Sequence, residues 1–258
     1  MEENERGEHL PGGSGGVWRM READGTTRVH RPTGAWTPAV HELLDYLASA
    51  GLDGIPEVYG TDAAGREVLS YLPGDTLDPE TEQPSAAALA AAARWLRRFH
   101  DAVADFEPTH HVWRPGEQRL ARERGEIICH NDPGLYNWVV VDGEFAGMID
   151  WDRAGPGLPL DDLAFLVWSG VPLLREIPLA ETAARIKLAA ESYGGVDGKQ
   201  LLDAVTHRMG LIATRWQAGI ERGDPGTLAL RDSGIMARHE ARVAAFGGRR
   251  AALEALLS

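Results

Sequence analysis

The dipeptide Asp142-Gly143 constrains this chain more than any other two residues. Asp-Gly tolerates the positive φ angles of a two-residue turn, whose twist matches that of paired strands. Before it runs Trp138-Val139-Val140-Val141, and after it Glu144 to Ile149, so the pattern predicts a β-hairpin. A two-residue turn sets Val141 opposite Glu144. Counting outward, Asn137 falls opposite Met148, and Asp150 comes level with Leu135. Just upstream, His130-Asn131-Asp132-Pro133-Gly134 cannot continue a regular element, so Asp132 sits on a loop. The hairpin therefore returns Asp150 to the loop carrying Asp132 and to the strand start carrying Asn137. Two carboxylates and a carboxamide converge at one end. Oxygen donors without Cys or His partners suit Mg²⁺, a hard cation.

The chain before this hairpin changes character once. Residues 17–22 and 26–31 read as strands joined at Ala23-Asp24-Gly25. Residues 37–51 read as a helix, with Thr37 as N-cap, Pro38 in the first turn, Gly51 at the end, and Val40, Leu43, Leu44 and Leu47 on one apolar face. Two short strands follow, around residues 56–62 and 66–72. After a polar, proline-containing connection at 72–84, residues 85–106 carry Leu89, Ala92, Leu96, Phe99, Val103 and Phe106 three and four apart, which predicts a long helix. From Leu179 onward the pattern is again helical, with breaks at 194–198 and 223–226. The order predicts an α+β chain: a small sheet crossed by one helix, then a mostly helical part that carries the hairpin.

Composition narrows the function classes. With 258 residues, 43% hydrophobic and 25% charged, the chain can bury one sizeable core or two lobes. Its 26 basic and 39 acidic residues give a formal charge of -13, which argues against a nucleic-acid partner. The single cysteine, Cys129, makes neither an internal disulfide nor a zinc ligand set, and reads as a small buried hydrophobe. No apolar run reaches the roughly 18 residues of a membrane span. The polar, acidic start lacks the features of a secretory signal, so a cytoplasmic protein with no membrane partner is expected.

The residues His130-x-Asp132-x-x-x-x-Asn137, followed after a hairpin by Ile149-Asp150-Trp151 and then by Asp162-Leu163-Ala164, resemble the motifs of the aminoglycoside phosphotransferase and choline kinase-like family. That resemblance implies the protein-kinase-like two-lobed fold, with an N-terminal lobe over residues 1–72 and a helical lobe over 73–258. It implies Asp132 as catalytic base or hydroxyl-positioning carboxylate, and Asn137 and Asp150 as ligands of Mg²⁺ against a triphosphate. His130 would be a hydrogen-bonding residue of the loop, and Asp162 would brace that loop from behind. Asp152 would reach the metal or the substrate. Residues 67–74 resemble the family's hinge, where the Ser70 carbonyl and the Leu72 N–H would meet the adenine edge. The glycine-rich residues 10–16, with Gly13 and Ser14 at their centre, lie where a phosphate-covering loop belongs.

Two positions depart from the family pattern. Arg31 stands where the strand lysine is expected, and Val40 where its helix glutamate is expected; Glu42, two residues on, points to another face. An arginine clamps phosphate with a planar fork instead of a point charge. The expected function is ATP-dependent phosphorylation of a small-molecule hydroxyl, with GTP left open as donor, in a monomer or homodimer. The alternative is a catalytically weak, kinase-like binding or immunity protein that sequesters a toxic small molecule or peptide. The late helix around Trp216 and Glu221 is where acceptor contacts would be sought.

Overall fold

The structure is a computed structural model that describes residues 7–10, 16–114 and 125–258. Five strands form an antiparallel sheet: β1 (Gly7–His9), β2 (Trp18–Arg21), β3 (Thr27–Arg31), β4 (Val58–Thr61) and β5 (Glu67–Ser70), in the order β1-β2-β3-β5-β4. The β2–β3 hairpin turns at Asp24-Gly25, as the sequence predicts. Strand β1 was not legible, because its polar residues lack any apolar alternation.

Helix α1 (Thr37–Ser49) buries Val40, Leu43, Leu44 and Leu47. Thr37 is not its N-cap. The cap residue is Trp36, and the Thr37 hydroxyl instead accepts from the Gly34 N–H at 2.9 Å, closing the turn that leads into the helix. Burying three leucines there contributes about 1.5–3 kcal/mol each. Helix α2 (Ala86–Ala102) is capped by Ser85, whose hydroxyl accepts from the Ala88 N–H. It ends earlier than its spacing predicts, yet Val103 and Phe106 stay buried, because the chain closes a further turn through the Val103 N–H to the Phe99 carbonyl.

Strand β6 (Ile127–Cys129) pairs with β9 (Gly155–Gly157), and between them stand β7 (Trp138–Val141) and β8 (Glu144–Met148). The helices α3 (Pro159–Gly170), α4 (Leu179–Tyr193), α5 (Gly198–Glu221), α6 (Pro225–Asp232) and α7 (Ile235–Leu257) complete the chain. Two predicted breaks fall between α4 and α5 and between α5 and α6. One apolar cluster runs through α1, α2, α3, α4, α5 and α7, with Trp113, Trp138 and Trp151 inside it.

The hairpin register departs by one residue from the count made on the sequence. Asp142 and Gly143 both have positive φ, 51° and 81°, and Val141 pairs with Glu144 as expected. A bulge then shifts the ladder, so Trp138 pairs with Met148, and the Asn137 carbonyl accepts from the Ile149 N–H at 2.9 Å. Asn137 is therefore opposite Ile149, not Met148. The physical cause is a close approach of two glycines. Met148 N–H donates to the Gly54 carbonyl at 2.8 Å, and a Cβ on Gly147 would lie 2.4 Å from that same oxygen. A bulge is what re-aims the strand into this contact.

The connection between the sheet and the helices is tied to the same hairpin. Asp75 exchanges two backbone hydrogen bonds with Val140, both 2.9 Å. Gly74, at φ 141°, permits the approach, since a Cβ there would meet the Val140 carbonyl at 2.7 Å.

Candidate active site

The loop between β6 and β7 is built from behind. Buried Asp162, in the first turn of α3, accepts from the Asn131 N–H at 2.7 Å and the His130 N–H at 2.8 Å. On α2, buried His100 places Nε2 3.2 Å from the same carboxylate, with Nδ1 2.8 Å from the Tyr193 hydroxyl. Burial works to raise the Asp162 pKa, but the hydrogen bond from His100 and the charge interactions with His100 and His130 outweigh it and hold the carboxyl below its usual range. His100, Cys129 and Asp162 bring metal-ligand atoms within 4.8 Å of one another. The acid already spends both oxygens on the loop and the imidazole both nitrogens on neighbours, so this cluster is a brace.

His130 completes the loop. Its Nε2 lies 3.1 Å from the Ile149 carbonyl, which can only accept, so Nε2 carries the proton and Nδ1 is left to accept from the Asp132 N–H at 3.3 Å. Burial lowers its pKa, consistent with a neutral ring. One imidazole thereby ties the strand before Asp150 to the backbone of Asp132. Asn131 occupies the left-handed region at φ 62°, which Asn tolerates better than most residues, and its side chain donates to the Gly155 carbonyl at 3.1 Å. From α5, the fully buried Arg208 donates to the Asn131 carbonyl at 2.6 Å. Nothing in the sequence singled out Arg208, since a lone arginine in a helix reads as surface.

On this scaffold the predicted residues meet. Asn137 Nδ2 donates to the Asp132 carbonyl at 2.9 Å and lies 3.4 Å from its Oδ2. With the amide nitrogen committed, the carboxamide oxygen is the atom Asn137 offers to a cation. Asp150 is in the left-handed region at φ 60°, is partly exposed, and takes one Arg31 contact at 3.2 Å. Buried Trp151 beside it packs edge-on against Phe99, with ring centroids 5.1 Å apart, and donates to the Met148 carbonyl. The Asn137 carboxamide oxygen and the Asp150 carboxylate are hard oxygen donors of the kind that fits Mg²⁺. Burial pushes the Asp132 pKa up to about 6, Arg153 and the Tyr136 hydroxyl working against it.

Arg31 reaches this group from β3. Its Nε donates to Glu67 on β5 at 2.5 Å, and its terminal nitrogens meet Asp150 and Asp152. Buried Glu67 also takes His41 Nε2 at 2.9 Å, from α1. The residue at the expected glutamate position, Val40, is packed in the apolar core, and the next residue on the helix supplies an imidazole instead. The acid has moved from helix to strand, and the helix holds it through His41. Burial works to raise the Glu67 pKa, but the His41 hydrogen bond and the Arg31 charge keep it lowered. Glu42 faces elsewhere, as its phase predicts: its carboxylate accepts from the Thr109 and His110 N–H groups.

Asp152 is clamped between Arg31 and Arg114, the latter at 3.3 Å and lying over the Trp36 ring. Arg153 Nε stands 3.8 Å from Asp132. Ser70 ends β5, its N–H on the Glu57 carbonyl, and Leu72 lies half-buried just beyond, both apart from the acidic cluster in the hydrogen-bond network. Gly13 and Ser14 lie outside the described residues. Trp216 packs edge-on against His239 at 5.0 Å, and Glu221 is exposed.

A braced carboxylate, a carboxamide and a second carboxylate at the end of a hairpin, faced by a cation from a small antiparallel sheet, define a protein-kinase-like phosphotransferase fold. The model of the phosphotransferase enzyme family matches residues 112–198. An amicoumacin kinase in complex with AMP-PNP, Ca²⁺ and its antibiotic superposes at a TM-score of 0.67 and 15% identity, over 93% of this chain and 88% of that one. The GDP complex of aminoglycoside 2'-phosphotransferase-IIIa gives 0.61 at 13% identity, over 92% of both chains. A macrolide 2'-phosphotransferase of Brachybacterium faecium gives 0.53 at 20%, over 93% of this chain and 91% of that one. Over residues 112–198 the chain carries the pattern of the phosphotransferase enzyme family, on the fold that these structures share. It is also 34% identical over 178 residues to a trifolitoxin immunity protein of Rhizobium leguminosarum bv. trifolii, a match covering 68% of this chain and 66% of that relative's length. No helix among the described residues is long and apolar enough to cross a membrane.

Proposed function

We propose that this protein transfers the γ-phosphoryl group of a nucleoside triphosphate to a hydroxyl of a small molecule. Asp132 accepts the acceptor's proton as its oxygen bonds to the γ-phosphorus; the bridging P–O bond breaks, and the nucleoside diphosphate leaves. Asn137 and Asp150 hold Mg²⁺, which supplies charge neutralisation on the phosphate oxygens when bound. Arg31 clamps the α- and β-phosphates, oriented by Glu67 and His41. The Ser70 carbonyl and Leu72 N–H take the adenine edge, and the lobes divide at Leu72. His130, Asp162 and Arg208 hold the loop. The donor is ATP, with GTP as the alternative, and the protein acts in the cytoplasm as a monomer or homodimer without a nucleic-acid or membrane partner.

The observation that carries this reading is the convergence of Asp132, Asn137, Asp150 and Arg31 in one cluster. Such work is positioning and electrostatics, which is what the braced loop provides. The acceptor is an antibiotic-like or metabolite hydroxyl compound, the class handled by the amicoumacin, macrolide and aminoglycoside enzymes of the same fold. A second reading, a binder that confers immunity by sequestration, is favoured by the name of the 34% identical relative and by the Arg31 and Val40 departures. MgATP with a panel of hydroxylated amines separates the two. An enzyme releases ADP in step with acceptor consumption; a binder retains the compound unchanged.

A further inference from the structure

The reaction leaves one side chain of the catalytic loop unused. Tyr136 precedes Asn137, and its hydroxyl donates to Asp132 Oδ1 at 2.6 Å. The other oxygen, Oδ2, faces Asn137 Nδ2 at 3.4 Å and Arg153 Nε at 3.8 Å. Both oxygens of the carboxylate are engaged before any acceptor arrives. The ring is held there by its surroundings. It lies against Gly134, where a Cβ would come 2.7 Å from two ring carbons, so only glycine leaves it this place. The turn beneath is pinned by the Leu135 N–H to the Ser169 hydroxyl at 2.8 Å and by the Asn137 N–H to the Gly134 carbonyl at 2.9 Å. Yet Tyr136 is 42% exposed, so its outer face is open to solvent and the phenol has room to leave.

A hydroxyl donating to a base carboxylate at this distance has the geometry of an acceptor about to be deprotonated. An acceptor hydroxyl that is to reach Oδ1 must take the place the phenol holds. So must water, the smallest acceptor, whose attack would waste the triphosphate.

We propose that Tyr136 gates the acceptor site: its phenol holds the acceptor hydroxyl's place at Asp132 Oδ1, excludes water from it, and yields when an acceptor presents a hydroxyl of its own. This rests on Asp132 acting as the base. It makes Tyr136 a specificity-determining residue, since only an acceptor with binding energy elsewhere in the cleft displaces the phenol, whereas water brings none.

Tyr136→Phe removes the hydroxyl and keeps the ring, so the fold is preserved. The test uses purified protein with MgATP and no acceptor, measuring ADP release and MgATP affinity for the wild type, Tyr136→Phe, and Tyr136→Phe with Asp132→Asn. Tyr136→Phe should raise acceptor-independent hydrolysis by about tenfold or more, the worth of one hydrogen bond to a charged carboxylate. The MgATP Kd should stay unchanged, and the double variant should show no rise. Hydrolysis equal to or below wild type, at unchanged Kd, overturns the gate alone. Phosphorylation of Tyr136 itself, read by mass spectrometry, also overturns it, because a phenol that reacts is an acceptor and not a plug. If the wild type binds no MgATP, the phosphotransferase reading falls, and the gate falls with it.

Discussion

Asp132 carries opposite demands for stability and chemistry. Its folded pKa of about 6 exceeds the ordinary carboxylate value near 4, because burial disfavours the charge. Between those values the folded state binds the proton more tightly than the unfolded state. Stability therefore falls as pH rises from about 4 to about 6, and stays reduced above it. The loss is of order 3 kcal/mol. Asp132→Asn should raise the melting temperature at pH 7.5 and leave it nearly unchanged at pH 4, as thermal unfolding across pH would record. The same variant should lower kcat by about 10²–10⁴ with MgATP affinity nearly intact. Wild-type turnover should decline as pH drops below about 6, where the base becomes protonated. Arg31 makes a different prediction. Arg31→Ala should weaken ATP far more than adenosine, which lacks the phosphates, and Glu67→Gln should do so partially, by releasing the guanidinium from its strand partner. Side-by-side affinities for ATP and adenosine check both. The meeting of the candidate residues was legible because their spacing is local: His130, Asp132, Asn137 and Asp150 fall within one loop and hairpin. Glu67, His41, Arg208 and Tyr136 were not. The first three act across 26 to 77 residues of sequence, and no periodicity reports such pairings.

The hairpin β7–β8 is the element on which the site depends, and its register was only half legible. The turn follows from Asp142-Gly143, whose φ requirement is written in two adjacent residues. The bulge is set by a contact with Gly54, remote in sequence, so counting outward from the turn misplaced Asn137 by one residue. Gly147 is where this contact can be tested. A Cβ at that position would lie 2.4 Å from the Gly54 carbonyl oxygen and 2.9 Å from two more backbone atoms, none of which can rotate away. Gly147→Ala should destabilise the protein by roughly 1–3 kcal/mol, as overpacking does, and should weaken metal-dependent nucleotide binding because Asp150 follows the displaced strand. Denaturant unfolding and a MgATP titration read the two effects. A similar lesson comes from α1: the stripe of Val40, Leu43, Leu44 and Leu47 was read correctly, while the N-cap was missed, since the Thr37 hydroxyl serves the preceding turn.

Across the whole molecule, the charged cluster joins parts that the chain keeps far apart. Arg31 from the sheet meets Asp150 and Asp152 beyond the hairpin, Arg114 holds Asp152 from another direction, and Asp75 ties the connecting segment to Val140. The α+β order was legible from the change in periodicity near residue 85. The packing of α4 against α2 and of α7 against α4 and α5, and the reach of α5 to the loop through Arg208, were not, because an apolar stripe says that a helix is covered and not by what. Asp150→Ala tests whether the site is built for a metal-bound nucleotide. Isothermal calorimetry of MgATP binding should show micromolar-to-millimolar affinity, typical of such sites, that depends on Mg²⁺ in the wild type. In Asp150→Ala that metal dependence should vanish, and binding should weaken at least tenfold, about 1.4 kcal/mol. Equal affinity and equal metal dependence in the two proteins would contradict the assignment of this cleft to phosphoryl transfer.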